Sequence, residues 1–376
     1  MKLIIKNGKY YDVLNGYYVK SDILIEDGII KSLQENIVCD CEAIDAKDKL
    51  IFPGFIDAHS HIGMWQTRFN GNDANECTRP ITPTMRAIDG VNLEDECLGE
   101  SLKHGYTTAM ITPGSGNAIC GQAAIIKMGG KTREDMIIRD YAAMKIAFGE
   151  NPRNVYGGFG KSPASRMGTF AVIDKEFSKA KLYKEKRDND TDIELDYEYE
   201  PYIPVLNKEI PLKIHAHRID DINSGIRLSE KYGLRYTIDH CTDGCKLTKD
   251  VTDIPILLGP LKMFKSKYEL RGARDDTAKI MTERGYSVSI TSDHPFCNVN
   301  YVPNLLGLLV KDGLDFSDAM RMITINPAHA IGLQNRIGSI KEGKDADLVI
   351  VDGNPLEIRT NVCFTLIGGS VCYRRY

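Results

Sequence analysis

Apolar residues in the central part of the chain occur as short runs separated by segments with helix-like spacing. Runs of this kind without polar alternation are typical of strands buried on both faces of a parallel sheet. The runs that we assign to strands are 51–56, 107–112, 123–128, 142–148, 211–216, 236–239, 254–258 and 287–291. The alternation of strand and helix predicts a (β/α)8 barrel, and a doubly wound parallel sheet is the competing architecture.

Two of the intervening helices have clear end signals. One is expected to begin at an Asn92 cap and to end before Gly105. The other is expected to run from Asp220 to Gly233. The highly charged stretch 174–210 interrupts the rhythm. It predicts a solvated amphipathic helix followed by a long connection, with a lid or a subunit contact as the alternative.

The two ends of the chain share a different pattern. Residues 2–50 and 336–376 consist of short apolar runs broken by turn dipeptides such as Asn7-Gly8 and Gly368-Gly369. Such dipeptides between β-type runs are strong turn signals. Both ends therefore look like parts of one small β domain that is assembled around a central insertion.

Composition removes several classes of partner. The chain has 48 Lys and Arg against 52 Asp and Glu, a formal net charge of −4, which gives no electrostatic reason to expect nucleic acid or an anionic membrane. No apolar stretch approaches the roughly 18 residues of a membrane helix, and the first residues do not read as a signal peptide. We therefore expect a cytoplasmic protein whose ten cysteines are reduced thiols.

Histidines are concentrated where the predicted strands end. Residues two apart on a strand point the same way, and the carboxyl ends of barrel strands meet at one mouth. A lone histidine there is more often a hydrogen-bonded core residue, but imidazole and carboxylate at four strand ends match the ligands of zinc-type sites. The residues concerned are His59, His61, His215, His217, His240 and Asp293.

Lys145 lies within an apolar run that should form the fourth barrel strand. A buried ammonium is costly and normally needs a partner. One solution is an ion pair with Glu150 or Asp293. The other is reaction of the neutral amine with CO₂, which gives a carbamate whose two oxygens can bridge two metals.

The chain resembles the amidohydrolase superfamily over nearly its whole length, and most closely its imidazolonepropionase-like and prolidase-like metal-dependent hydrolases. The matching stretches are PGFIDAHSH at 53–61, TSDHP at 291–295, TINPA at 324–328 and GKDADLV at 343–349. The resemblance implies a (β/α)8 TIM barrel from residues 51–335. It also implies a flanking β-sandwich built from residues 1–50 and 336–376. This α/β organisation agrees with the pattern described above.

The resemblance also implies roles for individual residues. Asp293 would be both a metal ligand and the general base, and the remaining ligands on the first and fifth strands would be His59, His61 and His215. In two-metal members a carboxylated lysine bridges the metals and a further histidine binds the second, positions that Lys145 and His240 occupy here. In one-metal members His240 would instead contact the substrate or the reacting water, and Lys145 would be structural.

One departure bears on the reaction. Deaminases of the superfamily typically have a Glu three residues after the fifth-strand histidine, where this chain has Arg218. We therefore predict a metal-dependent amidohydrolase, with one or two divalent ions, zinc first, that cleaves an amide, cyclic amide or peptide-like C–N bond. Asp293 would act as base, and His217 or His240 would donate to the oxyanion. A one-metal imidazolonepropionase-like hydrolase or deaminase, or a non-catalytic relative, are the alternatives.

Residues that could contact a substrate lie in loops after the strands. The loop Gly114-Ser115-Gly116-Asn117 could cradle a carboxylate with its backbone N–H groups, or be a plain tight turn. Arg166 could clamp a carboxylate or be a surface residue, and Trp65 could wall the cavity or only pack. We expect a small-molecule substrate and a homo-oligomer. The sequence does not name the substrate.

Overall fold

The computed structural model describes residues 1–66, 71–189, 194–248, 251–262 and 265–376. Within these ranges the strands are, in chain order, β1 Lys2–Lys6, β2 Lys9–Asp12, β3 Tyr17–Lys20, β4 Asp22–Glu26, β5 Ile29–Gln34, β6 Glu42–Asp45, β7 Leu50–Pro53, β8 Phe55–Ser60, β9 Trp65–Gln66, β10 Gly71–Asn72, β11 Tyr106–Ile111, β12 Ile119–Lys127, β13 Ile137–Ala147, β14 Leu212–Ala216, β15 Tyr236–His240, β16 Ile256–Leu258, β17 Val288–Ile290, β18 Leu348–Val351, β19 Val362–Ile367 and β20 Ser370–Arg374. The α-helices are α1 Ala87–Gly90, α2 Glu96–Leu102, α3 Arg133–Met136, α4 Glu150–Gly157, α5 Arg166–Asn189, α6 Ile203–Leu206, α7 Ile219–Tyr232, α8 Thr277–Glu283, α9 Val302–Lys311, α10 Phe316–Arg321 and α11 Ile325–Ala330.

An eight-stranded sheet forms the centre of the molecule, in the order β8, β11, β12, β13, β14, β15, β16, β17. Its two outer strands approach each other at their ends. There the Asp293 N–H donates to the His59 carbonyl over 3.2 Å, and the His61 N–H donates to that of His294 over 3.1 Å. The sheet is therefore a nearly closed barrel, as predicted, and the doubly wound alternative was wrong.

The third barrel strand departs from a regular (β/α)8 pattern. β12 pairs antiparallel with both of its neighbours, β11 and β13. The connections on its two sides, 112–118 and 128–136, are short, and a parallel crossover needs a dozen or more residues. The prediction of a regular strand–helix repeat was therefore wrong here, and the amino end of β12 lies at the mouth of the barrel.

Both helices with predicted end signals are present in the structure, and only the first residue of α2 differs from the prediction. α7 is followed by Gly233 at φ 62°, as expected. α2 begins three residues later than predicted, because Asp95, and not Asn92, caps it by accepting from the Cys97 N–H over 2.9 Å. α5 buries Ile173, Phe177 and Ala180 on one face, which confirms the amphipathic helix at the start of 174–210. Residues 190–193 of that stretch lie outside the described residues.

Two further sheets, ordered β5-β4-β1-β6 and β20-β19-β18-β7-β2-β3, form the predicted β domain from both ends of the chain. The amino-terminal β7 pairs with the carboxyl-terminal β18. Side chains from both sheets share one apolar core, among them Leu3, Ile23, Ile51, Leu348 and Leu366. The exact division of the domains at residues 50 and 336 stays a prediction.

Two further expectations were that the chain has no membrane helix and that its cysteines are reduced thiols. No helix in the described ranges is both long and apolar enough to cross a membrane. Cys39 and Cys41 are joined in a disulfide, so the expectation that every cysteine is a reduced thiol was wrong for this pair. The other eight cysteines, all within the described residues, are not in a disulfide.

Candidate metal centre and substrate cavity

The barrel brings the histidines of the strand ends together, as their positions in the sequence suggested. His240, at the end of β15, lies between the others, with ring centroids 4.9 Å from His59, 4.4 Å from His215 and 4.8 Å from His217. All four rings are buried. Burial lowers the pKa of His240 to about 3, and those of His215 and His217 well below the ordinary value. These imidazoles are therefore neutral, which is the form that binds metal.

Asp293 contributes a carboxylate to the same place. Its Oδ1 lies 3.3 Å from His59 Nε2 and 3.1 Å from His61 Nε2. Burial alone would raise the pKa of Asp293, but the surrounding histidines, His240 foremost, hold it well below its ordinary value. Two sets of three possible ligand atoms, each within 4.8 Å of one another, result: His215, His217 and His240, and His59, His240 and Asp293.

The hydrogen bonds on the far side of the rings fix which nitrogens face the centre. His61 Nδ1 donates to the Thr112 carbonyl over 2.7 Å, and His59 Nδ1 contacts Asp239 Oδ2 at 2.8 Å. The Nε2 atoms of both rings therefore present lone pairs to Asp293 Oδ1, which is itself an acceptor. Neutral imidazoles that face a carboxylate in this way repel it unless a proton or a cation lies between them. The distances from Asp293 Oδ1 to the two Nε2 atoms, 3.3 and 3.1 Å, are close to the edge of a tetrahedron of zinc ligands, about 3.3 Å for bonds of about 2.0 Å.

The backbone is strained at two of these positions. His240 has φ 69° and Asp293 has φ 51°, in the left-handed region that non-glycine residues seldom occupy. Such strain is held only where the surroundings enforce it, and it clusters at functional sites. His240 ends β15 and Asp293 lies three residues after the end of β17, so the unusual conformation helps to set the direction of each side chain at the mouth of the barrel.

Lys145 is fully buried and its Nζ lies 3.1 Å from Asp239 Oδ2. The expected pairing with Glu150 or Asp293 was therefore wrong. The same Nζ is 3.4 Å from both ring nitrogens of His59, so it lies directly behind the candidate centre. Carboxylation of this lysine stays a prediction.

Asp239 and Lys213 are two buried site residues that the sequence argument missed. Lys213 Nζ lies 3.3 Å from Asp239 Oδ1 and donates to the Ala58 carbonyl over 3.1 Å. Burial lowers the pKa of Lys213 to about 8. The sequence did contain a signal for both residues, because each is a charged residue within an apolar strand. Lys213 lies two positions before His215, and Asp239 lies one position before His240.

A cavity of about 470 Å³ opens from this centre towards solvent. Trp65 lies in its wall, with its ring edge-to-face against Phe296 at 5.2 Å between centroids. Gly114, Ser115 and Gly116 line it as well. The sequence therefore identified a wall of the cavity, and the role of these residues with a substrate stays a prediction.

The two features proposed to bind a carboxylate are engaged elsewhere. The Gly114 N–H donates to the Ala74 carbonyl over 2.7 Å, and the Gly116 N–H donates to Asn75 Oδ1 over 2.8 Å. Asn117 is buried below the loop, where its Nδ2 donates to Thr82 Oγ1 over 2.7 Å. Arg166 begins α5 and donates from Nε to both oxygens of Asp221, each at 3.0 Å. It is not among the described residues that line the cavity.

Comparison with known proteins agrees with this architecture. The amidohydrolase family model matches residues 211–371. The structure of an amidohydrolase from Thermotoga maritima MSB8 is 36% identical and covers 99% of this chain and 100% of its own, with a TM-score of 0.96. Amidohydrolase tasK of Hapsidospora irregularis is 26% identical over 90% of this chain, which spans only 38% of that protein's length. An imidazolonepropionase of Thermoplasma volcanium is 24% identical over 88% of this chain and 83% of its own.

Proposed function

The chain belongs to the amidohydrolase superfamily, and we propose that it is a metal-dependent hydrolase of a carbon–nitrogen bond in a small molecule. The observation that carries this proposal is the meeting of possible ligand atoms in two sets, one of His59, His240 and Asp293 and one of His215, His217 and His240, with His61 Nε2 3.1 Å from Asp293 Oδ1. The likeness to an imidazolonepropionase supports the reaction class. The homo-oligomeric state and the cytoplasmic location stay predictions.

We propose His59, His61, His215, His240 and Asp293 as the metal ligands. A divalent cation, zinc first for these nitrogen-rich donors, would supply Lewis acidity and lower the pKa of water to about 7. Asp239 supports this set from behind, because it contacts His59 Nδ1 at 2.8 Å and so fixes the direction of Nε2.

Proton transfer falls to Asp293 and His217 in this proposal. Asp293 accepts the proton of the attacking water and returns it to the leaving nitrogen, since it lies in the cavity wall beside His215 and His217. The two histidines offered for the oxyanion differ in their partners. His240 Nδ1 donates to the Gly259 carbonyl over 2.9 Å, which leaves a lone pair on Nε2 and suits a ligand. His217 Nδ1 faces the Thr242 hydroxyl at 2.8 Å, which can donate to it, so that Nε2 carries the proton and can donate to the oxyanion.

A one-metal hydrolase is the second candidate, and the Lys145–Asp239 ion pair of 3.1 Å favours it. An ammonium held in this way is not available to react with CO₂. The two candidates differ in the number of ions per chain and in the mass of Lys145. Two ions with one added CO₂ at Lys145 support the bridged centre, and one ion with unmodified Lys145 supports the second candidate.

The test is hydrolysis by the zinc-loaded chain of three substrate groups: N-acyl amino acids, dipeptides, and cyclic ureides or imides. Release of a free amine or a ring-opened acid that depends on zinc and is lost in Asp293→Asn is the expected result. A matched control is Asp140→Asn, because Asp140 is an exposed carboxylate that pairs with Arg86, and neither residue is among those described as lining the cavities beside the histidines. If zinc binds at the histidines and none of the three groups is cleaved, the proposed function is wrong.

A further inference from the structure

The barrel has a seam between β8 and β17, the two strands at the ends of its sheet. Main-chain groups of both strands bond to the segment between α10 and α11. The Ile56 N–H donates to the Ile323 carbonyl over 2.9 Å, and the Ile290 N–H donates to the Met322 carbonyl over 2.9 Å. Within the barrel the two strands are therefore joined through a third segment.

Asp57 bridges this seam near the mouth of the barrel. It lies on β8 two residues before His59, so the two side chains point to the same face of the strand, and it is buried. Its Oδ1 lies 2.7 Å from the Thr291 hydroxyl, which also contacts the His59 carbonyl and has one proton to share between these two acceptors. Oδ1 also accepts from the Ser292 N–H over 3.4 Å, and Oδ2 accepts from the Ser292 hydroxyl. The carboxylate therefore joins β8 to the two residues that follow β17.

The same carboxylate holds both segments that carry proposed ligands. On the β8 side, Asp57 Oδ1 accepts from the His59 N–H over 3.2 Å. On the β17 side, the Ser292 hydroxyl that donates to Asp57 accepts in turn from the His294 N–H over 3.0 Å. Asp57 therefore contacts Ser292 directly and holds His294 through one hydroxyl group. These two residues are the neighbours of Asp293 in the chain.

The hold on both neighbours accounts for the strained backbone of Asp293. Its φ of 51° is a conformation that a non-glycine residue keeps only where its surroundings enforce it. Fixing the residues on either side removes the freedom by which the backbone would relax. In this conformation Asp293 Oδ1 lies 3.3 Å from His59 Nε2 and 3.1 Å from His61 Nε2. The distance between the carboxylate and the two imidazoles therefore depends on Asp57.

Resting on the proposed function, we infer that Asp57 is a positioning residue of the metal centre, which sets Asp293 and His59 at the spacing that a cation needs. It is not among the described residues that line the cavity, so it acts through Ser292, Thr291 and the His59 backbone and not on a substrate. A carboxylate suits this place, because its two oxygens have about four acceptor sites and can serve donors on both sides of the seam at once.

The test measures metal binding by the full chain, so it needs no substrate. Zinc affinity is measured in competition with a chromophoric chelator, and the visible absorption of the cobalt-loaded chain reports the number and arrangement of the ligands. Asp57→Ala should bind zinc about 10- to 100-fold more weakly than the wild type, as is typical when a residue that supports metal ligands is lost. Its cobalt spectrum should differ from that of the wild type. Circular dichroism at the same temperature checks that the variant is folded.

The matched control is Asp22→Ala, because Asp22 is a buried aspartate that holds separate segments of the β domain. Its Oδ1 accepts from the Asn7 N–H over 3.2 Å, and its Oδ2 accepts from the Ile37 N–H over 3.0 Å. This variant should lower the urea midpoint and leave the zinc affinity and the cobalt spectrum unchanged. An equal loss of zinc affinity in Asp22→Ala and Asp57→Ala would show that affinity follows stability alone, and would overturn the inference.

Ser292→Ala decides the question where Asp57→Ala does not fold. It keeps Asp57 and removes only the hydroxyl that joins Asp57 to the His294 N–H. We expect zinc to bind about threefold or more weakly, the effect of one lost hydrogen bond, with a changed cobalt spectrum. Wild-type zinc affinity in folded Asp57→Ala, or in Ser292→Ala where Asp57→Ala does not fold, overturns the inference. Weaker binding with an unchanged cobalt spectrum also overturns it, because the ligands then keep their arrangement.

The proposed function is separated from this result, because metal binding is read without turnover. A wild-type chain that binds zinc at the histidines and cleaves none of the three substrate groups would reject the proposed function and leave the Asp57 result in place. A wild-type chain that binds neither zinc nor cobalt would overturn both.

Discussion

Two buried lysines show how differently this molecule treats charge in two regions. Lys127, at the junction of barrel and β domain, contacts Asp347 and lies 3.3 Å from Asp345, which Arg336 also contacts at 2.8 Å. Two cations there meet two carboxylates. At the candidate centre, Lys145 and Lys213 share a single carboxylate, Asp239, with His59.

At the junction each carboxylate contacts a cation. At the centre both ammonium groups share Asp239, and the second carboxylate, Asp293, faces His59, His61 and His240 instead. Directly paired charges serve the fold, because removing one partner leaves a buried charge unpaired. A carboxylate that faces histidines is what a metal centre needs, since a cation can bind between them. Four substitutions test this distinction.

The largest effect is expected at the centre. Asp293→Asn should lower kcat by about 10²- to 10⁴-fold, because the amide cannot accept the proton of the attacking water. Circular dichroism should show an unchanged fold. Asp347→Asn is the comparison at the junction and should reduce stability with kcat retained. Full hydrolytic activity of Asp293→Asn with zinc bound would reject the base assignment.

Substitutions at the junction should change the stability of the fold and leave the activity unchanged. Lys127→Met leaves the buried Asp347 without its cation, while Arg336 still pairs with Asp345, and we expect the free energy of unfolding to fall by about 3–5 kcal/mol with kcat unchanged. Urea denaturation measures the difference. Lys103→Met, which breaks an exposed pair with Glu100, should leave the urea midpoint nearly unchanged. Similar losses for both variants would show that the buried cluster has no special role.

Asp239→Asn should act on metal affinity. The amide no longer fixes His59 or balances Lys145, so zinc should bind about 10- to 100-fold more weakly in competition with a chelator. Thr237→Val removes only the 3.0 Å hydrogen bond from Thr237 Oγ1 to Asp239 and should have a smaller effect on affinity. Wild-type affinity in Asp239→Asn would mean that His59 is held by other contacts.

The smallest effect is expected away from both regions. Arg166→Lys keeps a cation beside Asp221, so the free energy of unfolding should change by no more than about 1 kcal/mol, and KM should stay within about twofold of wild type. Steady-state kinetics with a substrate from whichever of the three groups is cleaved measures KM. A rise in KM of tenfold or more would restore Arg166 as a substrate contact.

The barrel could be predicted because most of its buried strands are recognisable in the sequence as short apolar runs. The orientation of β12 could not, since its first residues include Gly121 and Gln122, which hid the true start and made the connection look longer. The ligand residues were visible because they end strands. The partner of Lys145 could not be predicted from the sequence. Asp239 lies two strands away, and its contact with Lys145 depends on the register of β13, β14 and β15.

The pairing of β7 with β18 has a consequence for synthesis on the ribosome. β7 is made early, and its partner along one edge is made only after the whole barrel has been translated. Until then the nascent chain presents an unpaired edge flanked by Ile51 and Phe52, which are fully buried in the finished protein. This edge of the sheet therefore cannot be completed until the barrel has been synthesised, and until then it is open to pairing with another chain.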